Sequence, residues 1–190
     1  MVGICVAVAM LAGCRGFTGV ASIPQASNAA DTAPHSRTFK FIGVKQVFRV
    51  PPHVRQIRVV GRGGKGAGTS VAYGGRVSAV IRVTPGEKLV VYVGGDASGT
   101  SGGFNGGANG GFGEYCRNCP GYGGGGASDV RARGGRLSDR IVVIAGGGGQ
   151  GGINPYGYGE NGAGGKGGGT TGGSGGSSPS GCGGSGGSGG

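Results

Sequence analysis

Residues 140–152, RIVVIAGGGGQGG, carry glycines at the spacing of a nucleotide-binding turn. Gly146, Gly148 and Gly151 follow a run of β-branched residues with the pattern G-x-G-x-x-G. That fingerprint requires a helix directly after the glycines, because the helix N-terminus holds the pyrophosphate. The next residues are INPYGYGENGAGG, whose proline and glycines exclude a helix. The glycines therefore predict an architectural role and no nucleotide cofactor.

Two serine-aspartate phrases supply the most polar residues of the strand-rich region. Ser128 and Asp129 precede Arg131, and Asp139 precedes Arg140. Such carboxylates can serve as catalytic acids or ligands, or can accept backbone N–H groups and pair with the arginines. The two histidines lie in a tether and a turn, so no set of nucleophile, base and orienting group can be assembled. A structural role is favoured for these five residues. The alternative is an extracytoplasmic enzyme that uses Asp129 or Asp139.

Cys116 and Cys119 have the spacing of redox-active and zinc-binding pairs. A lowered thiol pKa would require a helix N-terminus, whereas Pro120 and the glycine after it predict a loop. Zinc would need two further ligands, and none is suitably spaced, so no metal site is expected. We expect a disulfide between Cys116 and Cys119 in an oxidising compartment, with Cys182 left free or in an intermolecular bond.

Short strands separated by turn residues must position these groups. We predict strands at 38–42, 46–50, 54–60, 76–83, 88–93 and 140–144. Alternating apolar residues mark most of them, and the turn TPGE at 84–87 joins two. The strand at 140–144 is a continuous apolar run, which predicts a central strand covered on both faces. Because no segment has a helical apolar period, we expect an all-β core, most simply a β-sandwich.

Glycine supplies 55 of the 190 residues and is concentrated in two stretches. Residues 94–126 contain 15 glycines, and residues 146–190 contain 25. Chains without side chains can order as extended helices of three residues per turn, with backbone hydrogen bonds between neighbours. We expect such polyglycine-II-like helices in the first stretch, which strands frame. We expect a disordered Gly/Ser tail at 171–190.

The formal net charge is +11, and no acidic residue lies between Thr32 and Gly86. This balance favours an anionic partner, either an acidic glycan or lipid headgroups, although a basic face can also serve only solubility. The expected contact residues are the outward arginines Arg49, Arg55, Arg58, Arg76 and Arg82. Nucleic acid is disfavoured, because Arg-Gly-Gly occurs only at 62–64 and 133–135.

The opening residues MVGICVAVAMLAGC indicate the cellular location of the chain. The apolar run is shorter than the ~20 residues of a membrane-spanning helix, and it suits the core of a signal peptide at 1–13. LAGC at 11–14 resembles the lipobox of bacterial lipoproteins, whose cysteine is acylated and becomes the mature N-terminus. The resemblance implies lipidation of Cys14, a flexible tether at 14–37, and anchoring on the extracytoplasmic side of the cell envelope, at the outer membrane or cell surface.

An ordered series of phrases within residues 38–170 resembles the bacterial glycine-rich domain. The phrases are TFKFIGVKQVFRVPPHVRQIRVVGRGGKGAG, RVSAVIRVTPGEKLVVYVGG, GGFNGG, GGGGASDVR and LSDRIVVIAGGGG. That domain is similar to the extracellular glycine-rich segment of anaplastic lymphoma kinase and leukocyte tyrosine kinase. The resemblance implies a tumour-necrosis-factor-like β-sandwich with inserted polyglycine helices, and it implies no kinase activity. His53 departs from the family pattern, which has a glycine turn there.

These features together predict a non-catalytic, surface-anchored lipoprotein with a structural or adhesive role. The two alternatives are an extracytoplasmic enzyme that uses Asp129 or Asp139 and a truncated product without function.

Overall fold

The computed structural model of the chain describes residues 3–7, 36–70, 72–111 and 120–151. Residues 14–35 of the tether, the cysteines Cys116, Cys119 and Cys182, and the Gly/Ser tail lie outside these ranges, so the expectations for them, including lipidation of Cys14, stay predictions. Strands dominate the described residues, which contain no α-helix. The predicted all-β class is therefore confirmed. No helix in these ranges is long and apolar enough to span a membrane.

Eight strands of the described residues form two antiparallel sheets. In chain order they are β1 (Gly3–Ala7), β2 (Ser36–Lys40), β3 (Gln46–Arg49), β4 (Gln56–Arg62), β5 (Arg76–Arg82), β6 (Lys88–Tyr92), β7 (Ser128–Arg131) and β8 (Arg140–Ile144). The first sheet has the order β2-β1-β4-β5, and the second has the order β3-β6-β7-β8. A 3-10 turn at Leu137–Asp139 leads into β8.

One apolar cluster draws on both sheets. Phe39 and Val59 come from the first sheet, and Leu89 and Ile144 come from the second. Val59 and Ile144 are 0% exposed. Alternation along β4 and β6 places their apolar residues on this side, and burial of each large side chain contributes about 1.5–3 kcal/mol. Phe39 also meets Phe48 of β3 edge to face, with ring centroids 6.2 Å apart. This cluster is the core.

Among the described strands β8 lies at the edge of its sheet, so the structure places residues 140–144 there and not at the predicted central position. Val142 and Ile144 face the core, whereas Ile141 and Val143 are 43% and 47% exposed. The run is continuously apolar because the outward residues of β8 are also apolar, even though they are exposed. β7, which the sequence did not predict, takes the inner position beside β8, and all four of its residues are buried.

β1 comes from within the predicted signal peptide. It lies between β2 and β4 and is antiparallel to both. Ile4 is opposite Phe39 on one side and Gly61 on the other. The signal peptide stays a prediction, and its removal would take this strand out of the sheet.

Glycine-rich segments meet at one end of the two sheets. Segments 63–67 and 145–150 run on directly from β4 and β8, and segment 121–127 leads into β7. Backbone hydrogen bonds between segments 121–127 and 105–111 recur every three residues. The N–H groups of Gly121, Gly124 and Ala127 donate to the carbonyls of Gly111, Ala108 and Asn105, respectively. The same interval joins segments 64–67 and 123–126, where Gly64 donates to Gly126 and Ala67 donates to Gly123. A β-ladder would instead have a two-residue period.

The segments approach so closely that side chains would not fit between them. A Cβ atom on Gly66 would overlap the carbonyl oxygen of Gly148, and one on Gly126 would overlap that of Phe104. The overlaps are with backbone atoms, which cannot rotate away. Steric exclusion therefore explains why these positions hold glycine.

Candidate functional site

The outer face of β4 and β5 is basic. Arg58 and Arg62 lie at exposed alternating positions of β4, and Arg76 and Arg82 lie at both ends of β5. The register places Arg62 directly opposite Arg76. Because strands rise about 3.4 Å per residue, the arginines extend over roughly 20 Å.

Among the described residues, the strands that form this face contribute no acidic side chain. β2, β4 and β5 have the sequences SRTFK, QIRVVGR and RVSAVIR, without aspartate or glutamate. Like charges directly opposite each other destabilise an antiparallel pair, so Arg62 and Arg76 repel. A sulfate, phosphate or carboxylate group between the two guanidinium groups would offset this repulsion. The arrangement thus suits an anion better than a neutral ligand.

The structure brings three of the five predicted arginines, Arg58, Arg76 and Arg82, onto this face. Arg49 lies on β3 of the other sheet, where its Nη1 donates to the carbonyl of Gly86 at 3.2 Å. Arg55 precedes β4 and is out of step with Arg58 in the alternation. Sequence reasoning missed Arg62. Continuing the two-residue period beyond Arg58 would have found it.

A second polar site surrounds Asp129 on β7. The carboxylate is fully buried, and its Oδ1 accepts from Arg131 Nε at 2.7 Å. Its Oδ2 accepts from Arg140 Nε at 2.7 Å, Arg131 Nη2 at 3.0 Å and Asn105 Nδ2 at 3.1 Å. The carboxylate thus accepts four hydrogen bonds, one at Oδ1 and three at Oδ2.

Arg131 makes further contacts besides its ion pair with Asp129. Its Nη1 donates to the carbonyl of Gly135 at 3.0 Å and its Nη2 donates to Asn105 Oδ1 at 2.8 Å. The guanidinium carbon lies 3.8 Å from the ring centroid of Tyr92, in cation–π contact. The hydrogen bond to Asp129 raises the pKa of Arg131 above its ordinary value. The arginine is therefore charged at every pH near neutrality, and its contribution to stability does not vary there.

The cluster is closed to substrates. A general base must reach the proton that it removes, and the Asp129 carboxylate is fully buried and already accepts four hydrogen bonds. Asp139 lies in the 3-10 turn, where its Oδ2 accepts from the backbone N–H of Arg136 at 2.9 Å. The structure thus brings Asp129, Arg131 and Arg140 together and leaves Asp139 with a separate backbone partner. This geometry favours a structural over a catalytic role.

Ser128 connects the glycine segments to both sheets. Its buried Oγ donates to the carbonyl of Arg62 on β4 at 2.6 Å and accepts from the N–H of Gly94 at 2.9 Å. Gln150 has a similar task that the sequence did not reveal. Its Oε1 accepts from the N–H groups of Thr69 at 2.6 Å and Ser70 at 3.2 Å.

The glycines of the nucleotide-like phrase pack against neighbouring segments of the chain. The N–H of Gly147 donates to Gly64 at 2.9 Å, and its carbonyl accepts from Gly125 at 2.7 Å. A Cβ atom on Gly146 would overlap the carbonyl oxygen of Gly125. The N–H groups of Gly147 and Gln150 are therefore already donated to neighbouring segments, and Gly146 is closely packed against one. Among the described residues, no three histidines, cysteines or carboxylates cluster closely enough to hold a metal ion.

Comparisons with protein-family models, with curated proteins and with solved structures find no match to this chain. Function is therefore inferred from the residues and their geometry.

Proposed function

We propose that the chain is a non-catalytic, lipid-anchored module of the cell envelope that binds an anionic glycan through the outer face of β4 and β5. The observation that carries this proposal is the direct opposition of Arg62 and Arg76 on two strands, β4 and β5, that contain no acidic residue. Opposed guanidinium groups recognise sulfate or carboxylate groups well. A row of arginines roughly 20 Å long suits a linear polyanion.

The proposal includes the architecture expected from the resemblance. We take the two sheets as a tumour-necrosis-factor-like β-sandwich, and the glycine segments as a layer of polyglycine-II-like helices. A core that draws on both sheets supports the first assignment. Hydrogen bonds at three-residue intervals between the segments support the second.

The position of the tether fits a structural or adhesive role. Ser36, at the start of β2, is opposite Ala7, and Ala7 is opposite Arg58, near the beginning of β4. The glycine segments follow the other end of β4, after Arg62. An anchor at Cys14 would thus join the sheet at the end remote from the glycine layer. That layer would point away from the membrane.

Binding to a sulfated polysaccharide such as heparin should depend on the opposed arginine pair. Arg62→Ala combined with Arg76→Ala should weaken binding at least about tenfold at low salt, because each charged hydrogen bond contributes roughly 1.5–3 kcal/mol. The matched control is Lys45→Ala with Lys88→Ala, which removes the same charge from exposed positions off this face. Surface plasmon resonance from low to high salt is the measurement. Equal losses in both double variants, or binding insensitive to salt, would refute the site.

Vesicles with anionic headgroups separate the two anionic partners. Stronger binding of the wild-type chain to these vesicles than to the polysaccharide would assign the face to the membrane surface instead of a glycan.

Lipidation is tested separately by mass spectrometry of the protein from a membrane fraction. We expect a diacylated or triacylated Cys14 at the mature N-terminus and loss of membrane attachment in Cys14→Ser. A Met1 terminus on membrane-bound wild-type protein would contradict the anchor without bearing on the basic face.

A further inference from the structure

β1 is inserted into its sheet in an unusual way. It pairs on one side with β2 through five register positions and on the other with β4 through four. The connection from Ala7 to Ser36 is much longer than the two to five residues of a hairpin loop. β1 therefore enters a gap between two strands that run parallel to each other.

β2 depends on this insertion. The order β2-β1-β4-β5 makes β1 the only strand beside β2 within the described residues. Without β1, β2 and β4 would lie about 10 Å apart, too far for direct hydrogen bonds. Unpaired N–H and C=O groups would then line both sides of the gap, next to the buried Phe39 and Val59.

We infer that the gap between β2 and β4 is a strand-acceptor site, occupied by the chain's own Gly3–Ala7 segment and able to take up an extended apolar peptide of that type when the segment is displaced. Main-chain hydrogen bonds on both sides supply the affinity, as in other cases of strand addition. The segment GICVA is uncharged and contains β-branched residues, which suits a central strand.

The site concerns the predicted signal peptide directly. Processing before Cys14 would remove β1 and leave β2 without its partner strand. The inference itself does not rest on lipidation, because it is tested on the unprocessed chain.

Disulfide trapping tests the occupant. Cys5 is opposite Thr38, and directly opposed residues of an antiparallel pair have Cβ atoms about 4.5–5.5 Å apart. Thr38→Cys should therefore form an intramolecular disulfide with Cys5 in a chain whose four other cysteines are serine, a background that also prevents lipidation at position 14. Arg37→Cys is the matched control, since position 37 is opposite Val6 and alternates to the other face.

Mass spectrometry of the oxidised proteins decides the outcome. A large excess of cross-linked monomer for Thr38→Cys over Arg37→Cys supports the inference. Equal cross-linking of both variants, none in either, or a cross-linked dimer would overturn it.

Peptide capture tests the acceptor. In full-length Val6→Pro, proline in a central strand cannot donate to the ladder, so the gap should lose its occupant. This variant should bind a labelled peptide of residues 1–9 with serine at position 5, measured by fluorescence anisotropy, whereas the wild-type chain and Met10→Pro should bind it much more weakly. Equal binding by all three would overturn the acceptor assignment. If Val6→Pro does not fold alone, refolding in the presence of the peptide, followed by circular dichroism, supports the acceptor, and a chain that stays unfolded with the peptide overturns it.

Discussion

Gly126→Ala should unfold the domain or lower its free energy of unfolding by about 3 kcal/mol or more, at the upper end of what overpacking costs. The new Cβ atom would overlap the carbonyl oxygen of Phe104 and approach that of Gly103. Both are backbone atoms of a segment hydrogen-bonded to its neighbours, so relief would require the layer to separate. Thermal denaturation followed by circular dichroism should show a melting temperature lower by roughly 10 °C or more.

Gly124→Ala is the matched control for this prediction. Gly124 lies two residues away in the same segment, and its N–H also bonds to a neighbouring segment. Its Cβ atom would meet the carbonyl oxygen of Gly147 at 3.5 Å, an ordinary van der Waals contact. We expect a change of less than about 1 kcal/mol, because alanine also loses less backbone entropy on folding. Equal melting temperatures for the two variants would show that the glycines are not selected by close approach.

Asp129→Asn should cost about 3–5 kcal/mol of stability, the usual loss when one partner of a buried ion pair is removed. The replacement keeps the shape of the side chain but leaves the Arg131 guanidinium buried without its counter-charge. One carboxylate oxygen is also replaced by an NH2 group, which donates, although all four hydrogen bonds at this site come from donor groups of Arg131, Arg140 and Asn105. Urea denaturation should show a lower midpoint with an unchanged slope.

Asp139→Asn supplies the comparison. Its side chain is partly exposed and accepts one backbone N–H, a task that an asparagine oxygen also performs. A loss within about 1 kcal/mol is expected, in line with the value of a cap. The pair also addresses the enzymatic alternative. A catalytic Asp129 predicts a stable but inactive protein after substitution, so wild-type stability of Asp129→Asn would contradict the structural role.

Strand positions were largely predictable because alternation and turn residues are local. The strand predicted at 76–83 is observed as β5, Arg76–Arg82, with the expected outward arginines. β7 was missed because Ser128, Asp129 and Arg131 look like surface residues in sequence. Asp129 and Arg131 are buried because a loop containing Asn105 and the turn at Gly135 cover the outer face of the sheet there. Ser128 lies on the other side, where its Oγ bonds to the carbonyl of Arg62 on the facing sheet.

Some turn geometry was also anticipated by the sequence. Gly86 has a φ of 80° in the TPGE turn, as the residue types predict. His53 adopts a φ of 68°, in the left-handed region that favours glycine. A glycine turn expected at this position from the resemblance is thus replaced by a histidine in a conformation that glycine favours.

The basic face shows which features an alternating sequence pattern can predict. Alternation places Arg58, Arg76 and Arg82 outward without any knowledge of the partner strand. Only the register of β4 against β5 sets Arg62 opposite Arg76. That register depends on how the whole sheet buries its other face, which no local pattern records.

By itself, the sequence determined the class of the fold, the phrases that become strands and the net charge, because each depends on neighbouring residues or on composition. Tertiary structure decided the pairing partners: which strand fills the gap beside β2, which arginines face each other, and which donors surround Asp129. Those choices are made by contacts between residues far apart in the chain, where burial and hydrogen bonding are satisfied together. Both sequence and tertiary structure are needed to explain the glycines. The composition predicts extended backbone, but only the close packing of a neighbouring segment explains why a position excludes a side chain.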